Sequence, residues 1–184
     1  MRISKYTVHY LYFRILLIFA ISISSCRSHK ETIKIETTKN TTTSKKVQEK
    51  YAIILKVDKS KIENIKLYAF IDEWYGTPYK YGGKNKTGID CSNFTSTLYS
   101  SIYNKSISGS SSSIFEKCST ISKSNMEEGD FVFFKIDGNK VSHIGVYLQN
   151  NKFVHATAKK GVMIDDLDEP YYKKYYFKSG RINN

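Results

Sequence analysis

Apolar positions follow two different rhythms along this chain. In the first half, Ile62, Ile65, Tyr68 and Ala69 recur at helical spacing, and Leu67, Phe70 and Ile71 widen the same face. Ser60-Lys61-Ile62-Glu63 has the capping-box form, a hydroxyl followed three residues later by a carboxylate, so a helix is predicted to start there. Gly76 and Pro78 stop it near Trp74. Just upstream, Ala52-Ile53-Ile54-Leu55 is a short apolar run that fits either kind of element. A second helix is predicted to begin at or just before Cys91 and to run through Phe94 and Leu98. Between 106 and 113 the chain reads as a serine-rich loop around Gly109.

From Gly129 onward the rhythm shortens. Phe131-Val132-Phe133-Phe134, the run from Val141 to Leu148, and Lys152-Phe153-Val154-His155-Ala156 are separated by Asp137-Gly138-Asn139 and by Asn150-Asn151. Short β-rich runs joined by such turns predict antiparallel strands. Helices first and strands second give an α+β fold, a single domain over 51–184 without internal repeats.

The start of the chain reads as an address. Arg2, Lys5 and Arg14 precede the apolar run Ile15 to Ile21, and no acid interrupts them. A basic segment, a short apolar segment and small residues form the layout of a secretory signal. The run is shorter than the ~20 residues a spanning helix needs, and an uncleaved signal anchor is the alternative. Ile23-Ser24-Ser25-Cys26 resembles a bacterial lipobox, so residues 1–25 are expected to be a lipoprotein signal peptide and Cys26 the lipid-bearing first residue of the mature chain. Residues 26–50 are dominated by Thr, Ser, Lys, Glu and Asn, a composition expected of a flexible basic tether. The expected location is an exported lipoprotein on a bacterial membrane, periplasm-facing, with the outer membrane favoured.

Composition adds two restrictions. A 40% hydrophobic and 25% charged chain has the balance of a globular protein. The net charge of +12 is dispersed: three basic residues lie in the first 25, and seven basic against three acidic residues lie in 27–50. The remainder carries no nucleic-acid-binding motif, so an anionic wall or membrane surface is a better partner than a nucleic acid.

Few residues could carry chemistry. Besides Cys26 there are Cys91 and Cys118, which could form a disulfide in an exported protein. Alternatively Cys91 is a reactive thiol, its thiolate favoured by a helix N-terminus, and Cys118 a half-buried bystander. His9 and His29 lie outside the domain, leaving His143 and His155 on predicted strands. Two histidines and a cysteine could ligate zinc, but no second cysteine or acid nearby completes a standard set. A Cys–His pair with a third polar residue orienting the imidazole needs only what is present.

Gly76-Thr77-Pro78-Tyr79-Lys80-Tyr81-Gly82-Gly83, Gly88-Ile89-Asp90-Cys91-Ser92, Gly129-Asp130-Phe131-Val132-Phe133-Phe134, His143-Ile144-Gly145-Val146-Tyr147 and Phe153-Val154-His155-Ala156 resemble, in order and spacing, the NlpC-type cell-wall peptidases. The resemblance spans about Ile65 to Ile182. It implies a papain-like domain, N-terminal helices with the nucleophile at a helix start packed on an antiparallel sheet. It implies a peptidoglycan endopeptidase acting on stem-peptide or cross-bridge amides, with D-isoglutamyl–diamino acid bonds the expected target. Another cysteine amidase or acyltransferase on the same fold, or an inactive wall-binding lipoprotein, is the alternative.

Residue by residue, the resemblance makes Cys91 the nucleophile, His143 the general base and His155 the polar residue that orients it. Tyr79 would line the site and help hold the oxyanion, Asp90 would contact a substrate amine, and Ser113, among the serines at 111–113, would face the groove. No metal or cofactor is implied. The expected partners are peptidoglycan stem peptides and a membrane reached through the lipid anchor, and a monomer is expected. One position departs from the family pattern: Asn93 stands where Gly is usual, and Asn is among the residues that best tolerate a left-handed φ.

Overall fold

A computed structural model describes residues 42–182. Two compact units, 1–46 and 47–184, divide the chain, and the larger holds the sheet and the chemistry. The signal peptide, the lipobox at Cys26 and most of the expected tether lie outside the described residues.

The chain is helical over 42–55 (α1), which shortens the expected tether. Its last nine residues explain why: Val47, Tyr51 and Leu55 recur every four positions and are all buried. Tyr51 packs on Tyr68 with ring centroids 4.5 Å apart and donates its hydroxyl to Asp72 at 2.7 Å. Asn150 Nδ2 donates to the Leu55 carbonyl at 2.8 Å, satisfying one acceptor that the end of α1 leaves open. The polar look of 42–50 therefore hid an apolar stripe only one residue wide per turn.

The next helix starts later than its capping box suggested. Ser60 lies in a 3₁₀ turn, Lys59–Lys61, capped by Asp58, and α2 runs Ile65–Trp74 with Asn64 as its N-cap. Ile62 between them is fully buried and non-helical, so core packing of this one side chain overrides the local cap signal. Leu67, Phe70, Ile71 and Trp74 form the buried face. Beyond Trp74 the chain turns through Gly76, whose φ is +76°.

A two-residue ribbon, Lys84–Asn85 (β1) with Gly88–Ile89 (β2), delivers the chain to α3, Cys91–Tyr103. Cys91, Phe94, Thr95, Leu98 and Tyr99 are its buried positions. The expected serine loop is partly helical: Ser110 caps a short α4, Ser111–Phe115.

The sheet has six antiparallel strands where sequence periodicity showed three. Cys118–Ile121 (β3), Phe131–Phe134 (β4), His143–Tyr147 (β5), Lys152–Thr157 (β6), Gly161–Asp166 (β7) and Tyr176–Ile182 (β8) lie in the spatial order β3-β8-β4-β5-β6-β7. Both faces are covered. Phe131, Phe133, Ile144, Val146, Val154 and Ala156 belong to the main core with α2 and α3. Val132, Phe134 and Phe153 face a second core closed by Leu167 and by Tyr172 of α5, Pro170–Tyr175. The Gly129-Asp130 pair locks the strand order, because buried Asp130 receives Arg181 of β8 in a bidentate pair at 2.6 and 2.8 Å.

Candidate active site

Cys91 is the first residue of α3, and its cap determines how it is held. Asp90 accepts the backbone N–H of Asn93 at 2.8 Å and the Ser92 hydroxyl at 2.9 Å on Oδ1. On Oδ2 it accepts the Asn93 amide and the Gly82 N–H, both at 2.9 Å. A carboxylate has about four lone-pair sites, so this one is fully engaged. The arrangement assigns Asp90 a structural load that the sequence did not show, and a substrate amine would have to share it. It also explains Asn93: its φ is not positive, and its side-chain amide donates back to the carboxylate of the capping Asp90.

The thiol is 7% exposed and unpaired, as is the half-buried Cys118 thiol, so no disulfide joins them. Burial pushes the Cys91 pKa up to about 11. Hydrogen bonds from the backbone N–H groups of Ile144, Ser92 and Cys91 itself pull it down, and the Asp90 charge adds to the rise. This corrects the expectation of a thiolate favoured by the helix start: in the free chain the cost of desolvating the anion outweighs the donors around it.

The helix that Cys91 begins packs against β5, the strand that opens with His143, and the Ile144 backbone is near enough to influence the thiol. Strand register then organises three polar groups. β5 pairs with β6 through Val146–Val154 and Tyr147–Phe153, and β6 pairs with β7 through His155–Met163 and Phe153–Asp165. His143, His155 and Asp165 thus step diagonally across neighbouring strands on one face. The His143 Nε2 and His155 Nδ1 are 2.7 Å apart, and His155 Nε2 is 2.9 Å from Asp165 Oδ2. Tyr172 donates its hydroxyl to the same Asp165 oxygen at 2.5 Å. Gly145 lies between the two histidines, and a Cβ there would come within 2.6 Å of the Phe153 ring and 3.2 Å of the His155 Cβ. The contact between the imidazoles depends on that missing side chain.

Burial lowers the pKa of His143 well below its usual value; the neighbouring His155 adds to the drop and Asp165 opposes it. Burial also lowers His155, against the hydrogen bond and charge of Asp165. For Asp165 itself burial acts upward, but the hydrogen bonds from His155 and Tyr172 leave the carboxyl below its ordinary value.

Tyr79 is half-buried in the segment between α2 and β1. Gly76 and Val162 of β7 hold that segment in place: Gly76 N–H donates to Val162 O at 2.8 Å and Val162 N–H to Thr77 O at 3.0 Å. Gly161 permits this approach, since a Cβ there would stand 2.1 Å from the Thr77 oxygen. Burial raises the Tyr79 pKa, and the next contributions come from Cys91 and Asp90, so the phenol lies within electrostatic reach of both. Ser113 is placed differently from the expectation. Its hydroxyl turns to Ser110 at 3.0 Å within the cap of α4, whereas buried Ser111 donates to the Val141 carbonyl at 3.4 Å, two residues before His143.

Asp165 and Tyr172 were missed in the sequence. The one available signal was hairpin arithmetic, since a strand after the Lys159-Lys160-Gly161 turn places an acid at 165 on the face of His155. Among the described residues no group of three or more His, Cys, Asp or Glu is arranged to hold a metal ion, and no helix is long and apolar enough to cross a membrane.

The NlpC/P60 family pattern matches residues 76–181. A Haemophilus influenzae protein named a probable endopeptidase NlpC homolog is 40% identical over 116 residues, 63% of this chain and 61% of that protein. The Escherichia coli murein DD-endopeptidase MepS/murein LD-carboxypeptidase is 37% identical over 110 residues, 60% of this chain and 58% of its own. The aligned part thus spans about three-fifths of the length of these relatives. Among solved structures, an NlpC/P60 family protein from Bacillus cereus superposes with a TM-score of 0.58 at 29% identity, covering 62% of this chain and 38% of that one. A buried thiol at the start of α3, two histidines in hydrogen-bond contact on the neighbouring strands and these matches agree: the chain belongs to the NlpC/P60 family.

Proposed function

We propose that the chain is a thiol-dependent peptidoglycan endopeptidase with Cys91 as nucleophile, His143 as general base and His155 as the residue that orients it. The observation that carries this reading is the 2.7 Å contact between two buried imidazoles, on strands against which the helix that begins at Cys91 packs. Burying a histidine pair is costly for a merely structural role.

With Cys91 and His143 both neutral at rest, the thiol proton passes to His143 as the sulfur attacks the amide carbonyl carbon. The N–H groups at the start of α3 are suited to the oxyanion, where loss of one such donor costs about 3–4 kcal/mol in other acyl-transfer enzymes. Collapse breaks the C–N bond, and His143 returns the proton to the leaving amine. Water then attacks the thioester, giving its proton to His143 and releasing the acid and the thiol. Tyr79, within reach of the thiol, is suited to line the bound carbonyl. Asp90 sets the helix start on which the thiol stands.

The substrate is a stem-peptide or cross-bridge amide, with the D-isoglutamyl–diamino acid bond the expected one. The name of the Escherichia coli relative points instead to a DD bond. Incubating the full chain with purified muropeptides and weighing the fragments distinguishes these. Cleavage that disappears in Cys91→Ala, with the melt unchanged, is expected; undiminished cleavage in that variant would falsify the reading. Lipidation at Cys26 is part of the same proposal, and would place a monomeric enzyme on a membrane facing the wall. A mature N-terminus without acyl chains, found by mass spectrometry, overturns that part.

A further inference from the structure

We propose that Asp165, held by Tyr172, is the positioning residue that selects the tautomers of both histidines and so leaves His143 Nδ1 as the free basic atom. The inference rests on the reading of His143 as general base and deepens it.

Two neutral imidazoles joined by one hydrogen bond can be arranged in two ways. Either His143 Nε2–H donates to His155 Nδ1, or His155 Nδ1–H donates to His143 Nε2. The first leaves a lone pair on His143 Nδ1; the second leaves a proton there, and no base. Nothing within the pair itself chooses between them.

Asp165 chooses. Its Oδ2 stands 2.9 Å from His155 Nε2 and already accepts the Tyr172 hydroxyl at 2.5 Å. An ionised carboxylate has no proton to give, so His155 Nε2 must carry one. In a neutral His155, Nδ1 is then the acceptor, and His143 Nε2 supplies the proton in the 2.7 Å contact. The remaining nitrogen of His143 is Nδ1, with its lone pair. The surroundings keep the chain of donors dry. His155 is fully buried, its ring centroid lies 4.5 Å from that of Phe153 and 5.2 Å from that of Tyr172, and Phe134 lies 5.8 Å from His143. In such a setting a misdirected hydrogen bond is costly, which makes the selection strong.

The test uses the full chain labelled with nitrogen-15 in its histidines. Long-range nitrogen–proton correlation spectra report which ring nitrogen carries the proton, independently of any activity. Wild type should show His143 and His155 both as Nε2–H tautomers. Asp165→Asn, which can offer an N–H to His155, should populate the Nδ1–H forms and lower kcat on muropeptides about 10-fold or more with KM nearly unchanged. Tyr172→Phe, which keeps the ring and removes one donor, should show a smaller change of the same kind. An Nδ1–H tautomer on His143 in wild type overturns the proposal, and so does wild-type kcat in an Asp165→Asn protein, whatever its tautomers. If Asp165→Asn fails to fold, the wild-type spectrum and Tyr172→Phe decide. A wild-type chain that cleaves no muropeptide would remove the proposed function, while the tautomers would still judge the role of Asp165.

Discussion

His155 presents its Nδ1 to the Nε2 of His143 at 2.7 Å from a position with no exposure to solvent. A buried acceptor in that place fixes the ring plane of His143, and its loss should act on turnover more than on binding. His155→Gln keeps an acceptor of similar reach and His155→Ala does not. On the same muropeptide, Gln should retain more kcat than Ala, with KM little changed in either. Thermal melts run alongside separate this from a cavity effect, which for Ala should cost about 2–3 kcal/mol. Wild-type turnover in both variants would mean that His143 needs no orienting partner.

The thiol makes a second prediction, about reactivity. Only the thiolate is alkylated, and burial places the Cys91 pKa at about 11. Inactivation by iodoacetamide in the absence of substrate should therefore accelerate by roughly tenfold per pH unit above neutrality, without levelling off below about pH 10. A plateau reached by about pH 8 would instead indicate a resting thiolate–imidazolium pair.

Acid should destabilise the fold in a defined window. Both histidines have folded pKa values below their unfolded value of about 6.5. Below that pH the unfolded chain binds protons that the folded chain refuses, so stability present at pH 7 is lost as pH falls. Asp165, also lowered, acts only below the unfolded carboxyl range near pH 4 and leaves this window to the histidines. The melting temperature should drop between about pH 7 and pH 5, and the drop should be shallower in His155→Gln. Equal slopes in the two proteins would show that other groups carry the acid sensitivity.

The helix cap should be worth more than its neighbour. Asp90→Ala removes an N-cap with four hydrogen bonds and should cost about 2 kcal/mol or more by denaturant unfolding. Asn93→Ala removes one of those bonds and should cost about 1 kcal/mol or less. If Asp90→Ala melts like wild type but loses activity, the carboxylate serves substrate rather than the helix.

Much of this could be read from the sequence because the signals are local. The helix beginning at Cys91, the end of α2 near Trp74 and the strands that became β4, β5 and β6 all follow from neighbours a few residues apart. So does the family, through motifs whose order survives without coordinates. Other features needed distant partners. The helix over 42–55 is polar on most of its surface and becomes legible only when Tyr51 meets Tyr68 and Asp72. β8 carries Lys178 and Gly180 and shows no clean alternation, yet it lies between β3 and β4, where Arg181 pairs with Asp130. Ser113 and Ser111 are alike in sequence, and only the turn of α4 decides which one meets the strand before His143. The positions of Asp165 and Tyr172 were likewise decided by tertiary structure. An acid in a short strand and a tyrosine in a four-tyrosine stretch have no local mark of function, and only the register of β6 on β7, with α5 folded across that face, brings both to His155.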